Sequence, residues 1–263
     1  MKKSFFITLL FSPILLIADD LIVDKNTRSQ YQTDNFLRLD PFKWNNQIYS
    51  TTGWTPDTID LSNKAVTLGS AFTQEARIFP DQKGLRKQEI IGHPTLSNFD
   101  NNSSSPHIIL LDGTDIWYGF GDGSTYYYAI VKDVISTLGR YHVATTFDGS
   151  NYKLFVNGSE VYNYSGAAGI SPINTPVKSI GTQFQGKIDE VRMWNVARTE
   201  SEIKADMDKR LTGSETNLVA YYPMDVNGDY QLIDLSPNQN HGTLKNVDVM
   251  QRFSSNDCSA PDG

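Results

Sequence analysis

Residues 184–195, with the sequence FQGKIDEVRMWN, constrain the fold of this chain more than any other stretch. Val191 and Met193 alternate with polar residues, as in a β-strand whose successive side chains point to opposite faces. Ile188 precedes Val191 by three positions instead of two, so the apolar period slips by one residue. A slip of this kind predicts a β-bulge at Asp189-Glu190, which redirects the side chains around it.

The next segment predicts a single amphipathic helix. Thr199-Glu200-Ser201-Glu202 has the form of a capping box, in which the threonine hydroxyl and the second glutamate cap each other's backbone amides. Apolar residues then recur at every fourth position, namely Ile203, Met207 and Leu211. Gly213 is placed to take the left-handed conformation at the C-terminal end. We therefore expect a helix of about three turns over about 200–211.

The rest of the chain predicts short strands separated by turns rich in glycine, aspartate and asparagine. These strands are expected at 36–39, 65–68, 72–79, 89–92, 108–111, 116–120, 124–131, 141–147, 152–156, 161–164 and 177–181. Asn157-Gly158 is a two-residue hairpin signal. Strands at this spacing with one helix predict an all-β fold, an antiparallel two-sheet sandwich with the helix at its edge.

Three segments resemble laminin-G-like domains of the concanavalin A-like and pentraxin-related superfamily. The first is GKIDEVRMWN at 186–195, followed by ARTESEI. The second is HVATTFDG at 142–149, which continues into LFVNG. The third is LVAYYPMD at 218–225 with DLSPNQNHGTL at 234–244. The resemblance covers about residues 61–245 and implies a jelly-roll sandwich, whereas a fold by itself says little about function.

The N-terminus predicts export. Lys2-Lys3 precede an apolar run at 4–17, and Ala18 is a small residue before two aspartates, so residues 1–18 are expected to be a cleaved signal peptide. An uncleaved anchor is the alternative, although the run is short for a membrane span. We expect a secreted or cell-surface protein of bacterial type, with no membrane span after cleavage.

Three further regions follow the signal peptide in this interpretation. Residues 19–60 are expected to form an N-terminal strand and loop, 61–249 the jelly-roll domain and 250–263 a linker-like tail. The only cysteine, Cys258, lies in that tail. An odd thiol in a secreted chain suggests a disulfide or self-association through Cys258, or a further module beyond this sequence.

Charge and motif content restrict the chemistry. A net charge of −7 disfavours nucleic acid as a partner. Superfamily glucanases cut glycans with Glu-x-Asp-x-Glu on one strand, and the matching residues at 187–191 are KIDEV. Lysine and valine thus replace the two glutamates, and no G-x-S-x-G motif is present. The sequence therefore predicts a protein that is not an enzyme.

A calcium site is implied by resemblance to the pentraxins. Asp100-Asn101 matches the first half of their site, whereas the loop at 180–186 is short and offers only amides. Calcium prefers six or more oxygen ligands that include carboxylates. We expect at most one structural Ca²⁺, held by Asp100 or Asp189 with backbone carbonyls, and the alternative is that Asp189 caps loop amides.

Candidate ligand-binding residues fall in two places. The candidate stacking surfaces for sugar rings are Trp117, Tyr118, Tyr126, Tyr127 and Tyr128, with Tyr126 and Tyr128 on one strand face and Tyr127 on the other, although aromatic residues at this spacing also form cross-strand core pairs. Asn101 and Asn102 lie in a polar loop, the part of a sandwich that commonly carries recognition.

The sequence thus predicts a secreted, non-catalytic binding or adhesion module for carbohydrate or an extracellular protein, within a larger surface protein. Two alternatives stay open. One is a glycan-cleaving enzyme of the glucanase type or its accessory domain. The other is a purely structural module of a surface or filament assembly.

Overall fold

The computed structural model describes residues 58–80, 87–92, 103–136, 139–172, 175–224 and 231–245, and the backbone of 37–39. All of these lie in the unit that spans 35–263. The strands are β1 (Leu37–Leu39), β2 (Thr58–Asp60), β3 (Phe72–Pro80), β4 (Lys87–Gly92), β5 (His107–Leu111), β6 (Asp115–Gly121), β7 (Tyr126–Val131), β8 (Tyr141–Phe147), β9 (Tyr152–Val156), β10 (Ser159–Tyr164), β11 (Ser179–Ile180), β12 (Gly186–Trp194), β13 (Leu218–Tyr222), β14 (Gln231–Leu232) and β15 (Gly242–Lys245). The α-helix of the described residues is α1 (Glu200–Asp206), and a 3-10 turn occupies Ser62–Lys64.

The strands form two antiparallel sheets. The seven-stranded sheet has the order β1-β12-β3-β8-β9-β10, and β13 pairs with β12 beside β1. The eight-stranded sheet has the order β14-β15-β2-β11-β4-β5-β6-β7. The predicted all-β sandwich with one short helix is therefore confirmed. The predicted strand at 65–68 is wrong, because Val66 makes only an isolated bridge to Val177.

The core fills the space between the two sheets with the inward-facing half of each strand. Phe72 and Phe147 from one sheet meet Phe120 from the other, with the Phe120 and Phe147 ring centroids 4.9 Å apart. Full burial of one such side chain stabilises the fold by about 1.5–3 kcal/mol. Because alternate residues point inward, the other half of each strand is available to the outer faces.

The predicted bulge in β12 is confirmed. β12 pairs with β3 through Asp189 and Arg77, and the pairing resumes one residue out of register at Arg192 and Glu75. Glu190 takes a φ of 51°, the left-handed region that a non-glycine residue seldom adopts. The bulge also divides the other edge of β12, which pairs with β1 before it and with β13 after it.

The helix begins as predicted and ends earlier. The Thr199 hydroxyl accepts from the Glu202 amide, and the Glu202 carboxylate accepts from the Thr199 amide, so the capping box is present. The helix nevertheless ends at Asp206 instead of residue 211. Arg192 Nη1 donates to the Asp206 carbonyl at 2.9 Å, and an arginine on β3 bonds to the next carbonyl, so side chains satisfy the end of the helix.

The two residues expected at the end of a longer helix have other roles. Leu211 packs in a small cluster with Trp194, Leu218 and Tyr221. Gly213 has a φ of 91°, as expected of a left-handed residue, but it lies beside the Leu235 backbone and does not cap the helix. The apolar stripe therefore belongs to the helix and to the turn and irregular segment after it.

Buried charges attach the helix to the seven-stranded sheet. We call these residues the helix clamp, and they are Glu75, His142, Glu190, Arg192 and Arg198. Glu75 accepts from His142 at 3.0 Å and from Arg198 at 3.3 Å. Arg192, fully buried, donates to Glu190 at 2.5 Å. Buried charges persist only when they are paired in this way.

The described residues between 218 and 245 contribute strands to both sheets. β13 extends the seven-stranded sheet through β12, while β15 pairs with β2 in the eight-stranded sheet. Tyr222 and Leu244 from this segment enter the main core. No helix in the described part of the chain has the length and apolarity that crossing a bilayer requires.

Candidate functional site

The outer face of the eight-stranded sheet carries an aromatic surface that the main core does not include. The strand register places Lys87 beside Leu111, Ile109 beside Trp117, and Trp117 beside Ile130. Ile109 and Trp117 form a separate apolar cluster, against which Leu111 and Tyr126 pack. We call Lys87, His107, Trp117, Tyr126 and Tyr128 the aromatic face.

Three rings of the aromatic face form a stack. The His107 and Tyr126 rings are 5.8 Å apart at an interplanar angle of 14°, and the Tyr126 and Tyr128 rings are 4.9 Å apart at 15°. The Trp117 ring meets the two tyrosine rings at steep angles, 6.3 and 6.2 Å away. Tyr126 lies between its two neighbours, so Tyr128, with 46% of its surface exposed, forms the open end of the stack.

Gly119 makes room for this stack on β6. A Cβ at Gly119 would lie 2.9 Å from the Tyr126 hydroxyl oxygen and 2.8 Å from the Tyr128 Cβ. Both distances are too short for a methyl group. Because position 119 has no side chain, Tyr126 crosses β6 and its hydroxyl comes within 2.8 Å of His107 Nε2 on β5.

The histidine fixes the direction of that hydrogen bond. His107 Nδ1 lies 2.8 Å from the Ser105 carbonyl oxygen, which can only accept a hydrogen bond. Nδ1 of the neutral ring therefore carries the proton, and Nε2 accepts from the Tyr126 hydroxyl. A buried histidine thus orients a tyrosine of the face, and this leaves Tyr128 as the ring with the larger accessible surface.

Lys87 and Trp117 add donor groups beside the rings. The Lys87 Nζ lies 4.6 Å from the Trp117 ring centroid, a cation–π distance. The Trp117 Nε1 is buried and has no hydrogen-bond partner in the described part of the chain. Buried polar groups are rarely left unpaired in native structures, and each exception calls for an explanation.

Glu89 borders the aromatic face on the side away from the tyrosines. Its side chain is fully buried, and Oε1 accepts from Ser179 Oγ at 2.5 Å and from Thr182 Oγ1 at 3.1 Å. Both partners belong to β11 and the residues just after it. This carboxylate therefore attaches the start of loop 181–185 to β4.

The structure brings together three of the predicted stacking residues, Trp117, Tyr126 and Tyr128, and separates Tyr118 and Tyr127, which lie on the core side. Trp117 and Tyr126 share the aromatic face. Tyr118 points into the core, where its hydroxyl donates to the Tyr152 carbonyl at 3.0 Å and burial raises its pKa above the usual range. Tyr118 is thus a core residue, because adjacent residues of a strand point to opposite faces.

Of the other predicted positions, three lie outside the described residues and one lies on the seven-stranded sheet. Asp100, Asn101 and Asn102 lie outside the described residues. Asp189 is buried on the seven-stranded sheet, with its carboxylate 3.8 Å from the Arg77 guanidinium. The positive charge of Arg77 makes Asp189 a poor ligand for Ca²⁺. Among the described residues no group of three or more His, Cys, Asp or Glu side chains is arranged to hold a metal ion.

The carboxylates of the KIDEV segment are bound within the protein. Glu190 contacts Arg192 at 2.5 Å and accepts from the Tyr221 hydroxyl at 3.0 and 2.9 Å. Asp189 faces Arg77, as described above. Both carboxylates lie on the seven-stranded sheet and not beside the aromatic face, so they do not form a pair of acids flanking a glycan there.

Sequence reasoning missed Lys87 and His107 as site residues. Tyr128 carried a signal and was a candidate, since it shares a strand face with Tyr126 two positions away. Lys87 and His107 carried none, because only the pairing of β4, β5 and β6 brings them to Trp117 and Tyr126.

Comparison with known proteins agrees with this architecture. The Laminin_G_3 family model, described as the concanavalin A-like lectin/glucanases superfamily, matches residues 54–204, more than half of the chain. Pappalysin-1 of Mus musculus is 35% identical over 78 residues, 26% of this chain and 5% of that protein. Homo sapiens pappalysin-1 is 33% identical over 76 residues. The chain spans about a twentieth of these relatives.

Two solved structures extend the comparison of folds. One is a candidate carbohydrate binding protein from Bacteroides ovatus ATCC 8483, with 23% sequence identity and a TM-score of 0.54 over 74% of this chain and 59% of that one. The other is a heptameric SAP-like pentraxin from Limulus polyphemus, with 16% identity and a TM-score of 0.45 over 65% of this chain and 81% of that one.

Proposed function

The chain belongs to the Laminin_G_3 family of the concanavalin A-like lectin/glucanases superfamily, and we propose that it is a secreted, non-catalytic module that binds carbohydrate. The observation that carries the proposal is the His107–Tyr126–Tyr128 stack, open at Tyr128 on the outer face of a sheet. The carbohydrate-binding description of the Bacteroides ovatus protein agrees with it.

The chemistry of a sugar ring suits this surface. One face of a pyranose presents C–H groups, which pack on the face of an aromatic ring, while the hydroxyl groups at its edge need hydrogen-bond partners. Tyr128 supplies an exposed ring, and the Lys87 amine, which lies over the neighbouring Trp117 ring, supplies a donor. A largely apolar surface with a few convergent polar groups is typical of small-molecule sites.

A glycan array followed by calorimetry tests the proposal. We expect Tyr128→Ala to weaken binding of the selected glycan at least about fivefold, if a sugar ring stacked on the tyrosine contributes as much as a stacked nucleic-acid base, on the order of 1–3 kcal/mol. The matched control is Tyr162→Ala, since Tyr162 is 44% exposed on β10 of the other sheet. No glycan binding by the wild type, or equal losses in both variants, would contradict the proposal.

The non-catalytic part of the proposal has its own test. The ion pairs of Asp189 with Arg77 and of Glu190 with Arg192 argue for a structural role of both acids. Incubation with the glycans that bind should release no reducing sugar. Release that disappears in both Asp189→Asn and Glu190→Gln would instead make the chain a glycan-cleaving enzyme.

The proposal also includes secretion of the chain and self-association through the Cys258 thiol. The predicted signal peptide at 1–18 and Cys258 both lie outside the described residues. Expression in a bacterial host with a secretory pathway, followed by mass spectrometry, should give a mature chain that begins at Asp19. Sizing with and without reductant tests self-association through Cys258.

Calcium stays a prediction. A metal that binds only the folded state raises its stability, by about 2.7 kcal/mol when its concentration is 100 times the dissociation constant. A melting curve with Ca²⁺ and one with a chelator should therefore differ if Asp100 is a ligand. Identical curves would exclude a structural calcium ion.

A further inference from the structure

The amine of Lys87 is positioned for an anionic ligand. It lies over the Trp117 ring, and it forms no ion pair with another side chain in the described part of the chain. Building on the carbohydrate-binding proposal, we propose that the aromatic face selects acidic glycans, in which a sugar stacks on Tyr128 and its carboxylate reaches Lys87.

The Tyr128 ring and the Lys87 amine lie close enough to contact one ligand. Trp117 lies between them, since its ring is 6.2 Å from that of Tyr128 and 4.6 Å from the Lys87 amine. A carboxylate attached to a pyranose, or to the sugar next to it, spans such a separation. The exposed tyrosine would hold the ring while the lysine bonds to the charged group.

A second donor points to the same ligand chemistry. The indole N–H of Trp117 is buried and unpartnered among the described residues, and it belongs to the ring that Lys87 covers. Ammonium and indole N–H groups only donate hydrogen bonds. An ionised carboxylate accepts hydrogen bonds and donates none. Hydrogen bonds that involve charged partners are about twice as strong as those between neutral ones.

Neighbouring negative charge does not neutralise the lysine. Glu89 is two residues along the same strand, but its Oε1 accepts from Ser179 and Thr182, on the opposite side of β4 from Trp117. Lys87 would otherwise serve only as a cation over an aromatic ring. That role predicts no preference between charged and neutral sugars.

The experiment compares acidic glycans with their neutral counterparts. Affinity electrophoresis or calorimetry of the full chain would use polygalacturonate with its methyl ester, glucuronoxylan with xylan, and sialylated with desialylated oligosaccharides. We expect at least one acidic member to bind about tenfold more tightly than its neutral partner, as one charge-assisted hydrogen bond predicts. Lys87→Gln should remove this preference, so that the acidic and the neutral member of a pair bind equally, while Lys87→Arg retains it.

The control is Lys132→Gln, which makes the same change of charge at an exposed position just after β7. It should keep the preference, and circular dichroism should show that every variant folds. Equal binding of charged and neutral members by the wild type, or a preference that survives in Lys87→Gln, overturns the inference and leaves the carbohydrate-binding proposal intact. Failure to bind any member of any pair overturns both.

Discussion

The carboxylate of Glu75 links the helix clamp at the scale of single residues. It accepts from His142, from the indole N–H of Trp194 at 2.7 Å and from Arg198. Burial alone would raise its pKa, but the hydrogen bond and charge of His142, with Arg192 and Arg198, outweigh burial and lower the pKa to about 2 from 4.5. The ionised form is therefore a part of the folded structure.

This pKa predicts a loss of stability in acid. Because the folded pKa of Glu75 lies below the unfolded one, its contribution is complete above pH 4.5 and is lost as the pH falls toward 2. At about 1.4 kcal/mol per pKa unit, the loss is about 3 kcal/mol. Urea unfolding measured across this range should show it in the wild type.

The Glu75→Gln variant separates this effect from general acid unfolding. It should be less stable at pH 7 by about 3–5 kcal/mol, because Arg192 and Arg198 lose a buried partner. Its stability should also depend less on pH below 4.5. The control Glu200→Gln removes only an exposed pair with Lys204 and should behave like the wild type. A Glu75→Gln profile parallel to that of the wild type would argue against this role.

Individual elements depend on short-range features that the sequence displays directly. The capping box at Thr199 and the bulge in β12 both form where the sequence predicts them. The two-residue turn Asn157-Gly158 also forms, with both φ values positive. Each of these depends on neighbouring residues alone. The end of the helix does not, because arginines from β3 and β12 determine it.

The capping box should contribute measurably to the stability of the helix. Thr199→Ala removes the acceptor for the Glu202 amide and is expected to cost about 1 kcal/mol of unfolding free energy. Ser201→Ala, two positions along on the exposed surface of the first turn, is the matched control and should change little. Equal effects of the two substitutions in urea unfolding would show that the cap makes no specific contribution to the unfolding free energy.

The aromatic face depends on one glycine of β6. In Gly119→Ala the added methyl group displaces the Tyr126 hydroxyl or the β7 backbone, at an expected cost of about 1–3 kcal/mol. We also expect weaker glycan binding and altered near-ultraviolet circular dichroism. Gly69→Ala is the control, because its nearest neighbouring atom would be 3.5 Å away. Unchanged binding in Gly119→Ala would show that the ring stack is not the site.

At the scale of the whole molecule, a segment that lies beyond the family match completes both sheets. The match ends at residue 204, yet β13 completes one sheet and β15 pairs within the other. Tyr222, Leu232 and Leu244 of this segment are buried in the main core. The segment therefore belongs to the same hydrophobic core as the strands that precede the helix.

Truncation tests this dependence. A chain that stops after Asn217 loses three strands and several core side chains, each of which contributes about 1.5–3 kcal/mol. Since a domain is stable by only about 5–15 kcal/mol in total, we expect no cooperative thermal transition. The control that stops after Lys245 should melt like the full chain. A cooperative transition in the shorter chain would show that the segment is dispensable.

The sequence by itself determined most of the strands, the bulge, the hairpin and the start of the helix, because each follows from the period or the chemistry of neighbouring residues. It also carried the family resemblance, through three motifs in order. Tertiary structure alone decided that Tyr118 belongs to the core and that Lys87 and His107 join Trp117 and Tyr126 on the aromatic face. Cross-strand register makes those choices, and register pairs residues that are far apart in the chain.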